Sequence, residues 1–154
     1  MKLPPLKIYL DTSVFGGYFD KEFELPSRHL FTCILKGQFV VVVSDVVSTE
    51  LSQAPSKVQD LARSIASFTR HTDITSAAID LQKSYIEAGI VTKKSLNDAL
   101  HVAIATTAGV DAIVSWNFKH IVKLDKIKRY NDINMTRGFQ KLTIISPQEV
   151  VYDN

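Results

Sequence analysis

The 154-residue chain is 45% hydrophobic and 22% charged, enough apolar material for one substantial core and short for two, so a single domain over residues 1–154 is the expectation. One cysteine excludes disulfides and thiolate metal sites, and the most apolar short run, Phe39 to Val43, is far below the ~20 residues needed to span a bilayer. The formal net charge of +2 is unevenly spread: between Ala112 and Lys141 seven basic residues stand against two acids, leaving the rest of the chain net acidic.

The opening MKLPPLKIYLD sets two prolines and charges where a signal peptide needs an unbroken apolar stretch, so a cytoplasmic protein with no membrane segment is expected. Leu6 to Leu10 reads as a buried strand that ends abruptly on Asp11, Thr12 and Ser13, with a helix beginning near Val14. From Pro26 to Lys36, Leu30, Phe31, Ile34 and Leu35 share a helical face and Gly37 is the stop; Cys33 falls among them as a buried thiol. Phe39 to Val43 is a second strand, rich in β-branched residues. Asp45 to Leu51 reads as a short helix, and Ser56 to Phe68 and Ser76 to Ala88 as amphipathic ones. Leu96 to Ala108, LNDALHVAIATTA, carries small or apolar residues on nearly every face, which implies a helix buried between neighbours. Ala112 to Ser115 after the Gly109 stop, and Leu142 to Ile145 before Ser146 and Pro147, are the third and fourth strands. Strands without hairpin signals, separated by helices, imply an α/β fold with a mostly parallel sheet covered on both faces.

In such sheets ligands sit beyond the carboxyl ends of the strands. Asp11 and Asn117 fall there, Glu50 lies on a short helix after a strand, and Asp98 opens the buried helix; Asp111 precedes its strand and belongs at the opposite end. Each has a plain alternative. Asp11, Thr12 and Ser13 suit a helix cap, Ser95 and Asp98 a capping box, and Glu50 a solvated helix position. Taken together, carboxylates converging in a cleft would repel one another unless a cation neutralised them. Oxygen donors alone suit Mg²⁺ or Mn²⁺, and no His or Cys spacing competes. Such a centre can bind a phosphodiester and activate water.

The ordered blocks LDTSVF after a strand, a Glu in STEL, NDALHVAIA on a helix, VSWNFKHI after a later strand and the closing NMTRGFQKLTIISPQEV resemble a PIN-domain nuclease, close to the VapC-like toxin ribonucleases of toxin-antitoxin pairs. The resemblance runs from Lys7 to about Pro147 and implies a three-layer α/β/α fold with four to five strands. It implies metal-binding roles for Asp11, Glu50 and Asp98, with Thr12 or Ser13 as an adjacent polar contact. The family often has a further Asp where this chain has Asn117, so the site has one charge fewer and should hold a second ion more weakly. Ser115 is placed to orient Asn117. The implied reaction is hydrolysis of RNA, leaving 5′-phosphate and 3′-hydroxyl ends.

Lys119, His120 and Lys123 follow Asn117, and Lys93 and Lys94 precede the Asp98 helix; all five are candidates to contact the RNA backbone. Trp116 and Phe118 flank the site and one of them can stack on a base, although Phe118 reads as a core residue; His101 reads as a hydrogen-bonded interior residue. Expected partners are RNA, a cognate antitoxin and a second copy in a homodimer, with apolar surface on the Pro26 to Lys36 and Ser56 to Phe68 helices. Two alternatives stand beside this reading. A catalytically weakened PIN module that binds RNA or protein is favoured by Asn117. A phosphoacceptor domain is disfavoured, because LDTSVF has one acid where paired acids are needed.

Overall fold

The computed structural model describes residues 4–151. Five strands, β1 (Leu6–Leu10), β2 (Phe39–Ser44), β3 (Thr69–Thr72), β4 (Ala112–Val114) and β5 (Thr143–Ile145), form one sheet in the order β3-β2-β1-β4-β5. Every pairing is parallel, with Ile8 opposite Val41 on one side and Ala112 on the other. The eight helices among the described residues are α1 (Thr12–Gly17), α2 (Glu24–Leu35), α3 (Asp45–Ser52), α4 (Ser56–Ser64), α5 (Ser76–Glu87), α6 (Leu96–Ala108), α7 (Leu124–Thr136) and α8 (Pro147–Val151).

Parallel strands need crossovers, and the right-handed rule puts those running outward from β1 to β3 on one face and those returning to β4 and β5 on the other. Accordingly α2 packs on β2 and α8, while α5 packs on α6 and α7. The centre of the sheet is therefore shielded on both sides: Tyr9, Leu10, Val41, Ile113 and Val114 are buried, as are Val102, Ala103, Ile104 and Ala105 of α6. This is the expected three-layer α/β/α architecture, with the fifth strand present. Cys33 is buried, as its setting on α2 implied.

Three elements, β3, α7 and the short α8, were not expected. The Ser56 to Phe68 segment is not one helix: α4 ends at Ser64, a 3-10 turn covers Ala66–Phe68, and β3 follows. β3 reads TRHT, edge-pairs only with β2 and has no buried residue, so its sequence lacks the alternation that marks a half-buried strand. α7 lies in the basic stretch, where its inward face carries Tyr130 with two asparagines. Asn131 stands in for a strand partner, its Nδ2 donating to Leu142 O at 3.0 Å and its Oδ1 accepting from Leu142 N at 2.7 Å. Asn134 accepts from the Tyr85 hydroxyl and donates to Thr106 Oγ1. Satisfied amides thus occupy positions where an apolar stripe would announce a helix.

Candidate active site

The strand order reverses between β1 and β4, the position where a parallel sheet opens a crevice at its carboxyl edge. Asp11 leaves β1 there, only 4% exposed. It occupies the N-cap position of α1 yet makes no side-chain cap, which removes the plain explanation for its carboxylate. Instead, Ser13 Oγ donates to Asp11 Oδ1 at 2.6 Å and Ser115 Oγ to Oδ2 at 2.7 Å. Each hydroxyl also accepts a backbone N–H from the loop after β4, Ser13 from Trp116 at 2.9 Å and Ser115 from Asn117 at 2.9 Å. The two serines therefore fasten the end of β1 to the end of β4 through one carboxylate. Burial pushes Asp11 above the usual carboxyl range, with nearby Asp98 adding to the rise, while the His101 ring and the two hydroxyls oppose it.

Asp98 stands in the first turn of α6, half-buried. The expected capping box does not form, since Ser95 makes no side-chain cap. Glu50 reaches the same edge from α3, its side chain 38% exposed. Its Oε1 accepts from Thr12 Oγ1 at 2.9 Å and from His101 Nε2 at 3.1 Å. The hydrogen bond from His101 is the main cause holding Glu50 below its ordinary pKa. His101, buried on α6, meets the Tyr9 hydroxyl with Nδ1 at 2.8 Å, and that hydroxyl lies 2.7 Å from Ser44 Oγ. Burial raises the Tyr9 pKa, so the phenol keeps its proton. One pattern then satisfies every group: Ser44 donates to Tyr9, Tyr9 to Nδ1, and Nε2–H to Glu50. His101 is thus the interior hydrogen-bonded residue that its sequence setting implied, and it orients Glu50.

Asn117 stands beside this centre, but its Oδ1 accepts the amides of Lys119 at 3.2 Å and His120 at 2.8 Å. It braces the basic loop. Its own backbone amide donates to Ser115 Oγ. Lys119 and Lys123 are exposed and His120 is half-buried. Burial and the adjacent Lys126 ammonium lower the His120 pKa, and Asp98 acts on both His120 and Lys126. The cationic loop and the acidic centre therefore share one electrostatic neighbourhood. Lys126, on the first turn of α7, also belongs to that rim, its Nζ 3.1 Å from His120 Nδ1. Lys93 and Lys94 are exposed on the 3-10 turn before α6, and Lys93 lines a shallow groove with Ile86 and Leu96. Asp111 binds the Lys7 amide at 2.8 Å, at the opposite end of the sheet as expected.

The aromatic positions correct one expectation. Trp116 is the buried ring, 7% exposed, and Phe118 is 48% exposed rather than in the core. Trp116 stacks on Phe23 and its Nε1 donates to Ser27 Oγ, which fills the interior position first and leaves Phe118 outside.

Among the described residues no three His, Cys, Asp or Glu side chains are gathered at metal-ligating spacing. The donor chemistry nevertheless fits a hard divalent cation: a buried carboxylate forced upward in pKa beside a second carboxylate gains from a positive charge.

Residues 7–119 match the PIN domain family, and the chain belongs to that family. α7, β5 and α8 follow the matched stretch, with β5 completing the sheet against β4. The structure is similar to a chain of VapBC2 from Rickettsia felis bound to a DNA fragment from their promoter (16% identity, TM-score 0.57, covering 92% of this chain and 98% of that one). It is also similar to VapC20 from Mycobacterium tuberculosis, described as a Sarcin-Ricin loop cleaving toxin (16% identity, TM-score 0.52, covering 88% and 98%). At that identity the likeness speaks for the fold. No curated protein matches the chain in sequence.

Proposed function

We propose that this protein is a Mg²⁺- or Mn²⁺-dependent endoribonuclease, the toxin of a toxin-antitoxin pair, built as one PIN domain. The observation that carries the reading is Asp11, a buried carboxylate without a capping role, fixed by Ser13 and Ser115 and close enough to Asp98 for the two to repel. Asp11 and Asp98 would hold the ion, and Glu50 flanks them. Bound there, the ion would neutralise charge on the scissile phosphate and lower the pKa of an attacking water. Ser13 and Ser115 keep both Asp11 oxygens directed and share the carboxylate's charge. His101 and Thr12 hold Glu50 ionised through Oε1, which would leave Oε2 to accept a proton. Lys119, Lys123 and Lys126 supply positive charge for the RNA backbone on the side of Asn117. Exposed Leu25 and Leu35 on α2 offer apolar surface for an antitoxin or a second copy. Among the described residues no helix is long and apolar enough to cross a membrane, and the reading places the protein in the cytoplasm.

A PIN module that binds RNA without cutting it is the second reading, favoured by the engagement of Asn117 Oδ1 with the loop amides. The experiment incubates the protein and an Asp11→Asn, Asp98→Asn double variant with a mixed RNA pool and Mn²⁺. Cleavage by the wild type alone, leaving 5′-phosphate ends, supports the enzyme. Cleavage by both indicates a contaminant and removes the claim, and binding without cleavage supports the module.

A further inference from the structure

Beside the acidic centre, Ser13, Gly16, Asp20, Phe23, Trp116 and Asn117 line an open hollow of about 470 Å³. Ser13 and Asn117 are shared with the centre, so anything in the hollow lies next to Asp11. One wall is aromatic. Phe23 and Trp116 stack with centroids 4.3 Å apart, and Phe118 meets them at 6.3 and 5.9 Å. Phe118 is the one aromatic among the exposed large hydrophobics of the described residues. Two glycines make the space. A Cβ on Gly17 would lie 2.6 Å from the Trp116 ring, so Gly17 admits the indole to its place against α1. A Cβ on Gly16 would meet nothing within 4 Å, because that position faces the hollow itself.

The lining also selects its occupant by charge. Its one ionisable side chain is Asp20, which uses Oδ1 to accept the Glu22 amide at 2.8 Å. No cation lines it, so a phosphate is disfavoured. The lysines begin at Lys119, beyond Asn117. An extended RNA strand satisfies both halves of this arrangement, with its phosphates along the lysines and one unstacked base turned into the hollow against the wall of Phe23 and Trp116.

Resting on the nuclease reading, we propose that this hollow is a nucleobase subsite that seats one base of single-stranded RNA next to the scissile phosphate. Sequence-tolerant stacking would then add binding to the RNA without altering the metal centre.

Trp116 is the only tryptophan and forms the wall, so its emission reports occupancy directly. The protein in EDTA is titrated with AMP, GMP, CMP and UMP, and with ribose 5-phosphate as the base-free control. Saturable quenching by nucleotides and none by ribose 5-phosphate is expected. Gly16→Leu fills the hollow without meeting protein atoms at its Cβ and should abolish the quenching. It should also raise KM for RNA cleavage about tenfold or more while kcat and Mn²⁺ binding change little. Equal quenching by ribose 5-phosphate, or an unchanged KM in Gly16→Leu, overturns the subsite and leaves the hollow to something other than RNA. Failure of the wild type to cleave RNA with Mn²⁺ would instead count against the nuclease reading, and the nucleotide titration would still decide the subsite.

Discussion

Ser115→Ala tests the carboxylate's support in detail. Ser115 is fully buried; its hydroxyl donates to Asp11 Oδ2 at 2.7 Å and accepts the Asn117 amide at 2.9 Å. Alanine leaves the Cβ in place and removes both bonds. A hydrogen bond to a charged group contributes about 1.5–3 kcal/mol, and an orphaned amide adds to the loss where water reaches it poorly, so about 2–3 kcal/mol should be lost once Asp11 is ionised. The pH dependence has a definite sign. Because burial raises Asp11 in the folded state, its stabilising share is complete below its unfolded pKa and is lost as pH rises through the folded value. Ser115→Ala removes a donor that favours the carboxylate and so raises the folded value further. The gap between wild type and variant should therefore be smallest in acid and widen as Asp11 ionises. Urea unfolding in EDTA, followed by Trp116 fluorescence from about pH 4 to pH 8, measures it. A loss that is constant with pH, or largest in acid, would refute the reasoning.

Gly17→Ala should destabilise the fold by about 1–2 kcal/mol, because overpacking against the fixed Trp116 ring outweighs the helix propensity gained by alanine; a raised urea midpoint would contradict this. Replacing Lys119 and Lys123 together with glutamine should weaken RNA binding evenly across sequences and flatten its salt dependence by roughly 1.4 in log-log slope, at about 0.7 per phosphate contact on single strands. His101→Phe removes the principal donor to Glu50, so the Glu50 titration should move upward, as read by carboxyl NMR. In the wild type, Glu50's contribution is present above its unfolded pKa and is lost as pH falls through the lowered folded value; an unmoved titration in the variant would dismiss the orienting role.

The sheet's interior was legible because its strands are continuous apolar runs, as at Phe39 to Val43, and both faces are covered. Asp11 was legible by its place just after such a strand. β3 was not, since an edge strand stabilised by backbone pairing needs no hydrophobic signature. α7 was hidden because Asn131 and Asn134 meet their partners by amide geometry, which no periodicity of apolar residues reveals. The exchange of roles between Trp116 and Phe118 depends on Gly17 and Ser27, neither adjacent to them in the chain. The Ser44, Tyr9, His101 and Glu50 chain likewise unites four elements; the burial of Tyr9 and His101 was visible in the sequence, their connection was not.

Mn²⁺ titration followed by electron paramagnetic resonance addresses the acidic centre itself, free of RNA. If Asp11 and Asp98 share an ion, the free Mn²⁺ signal is depleted by the wild type, and Asp98→Asn weakens that binding by about tenfold or more. Undiminished binding in Asp98→Asn, or no binding by the wild type, would contradict a metal centre at this edge of the sheet.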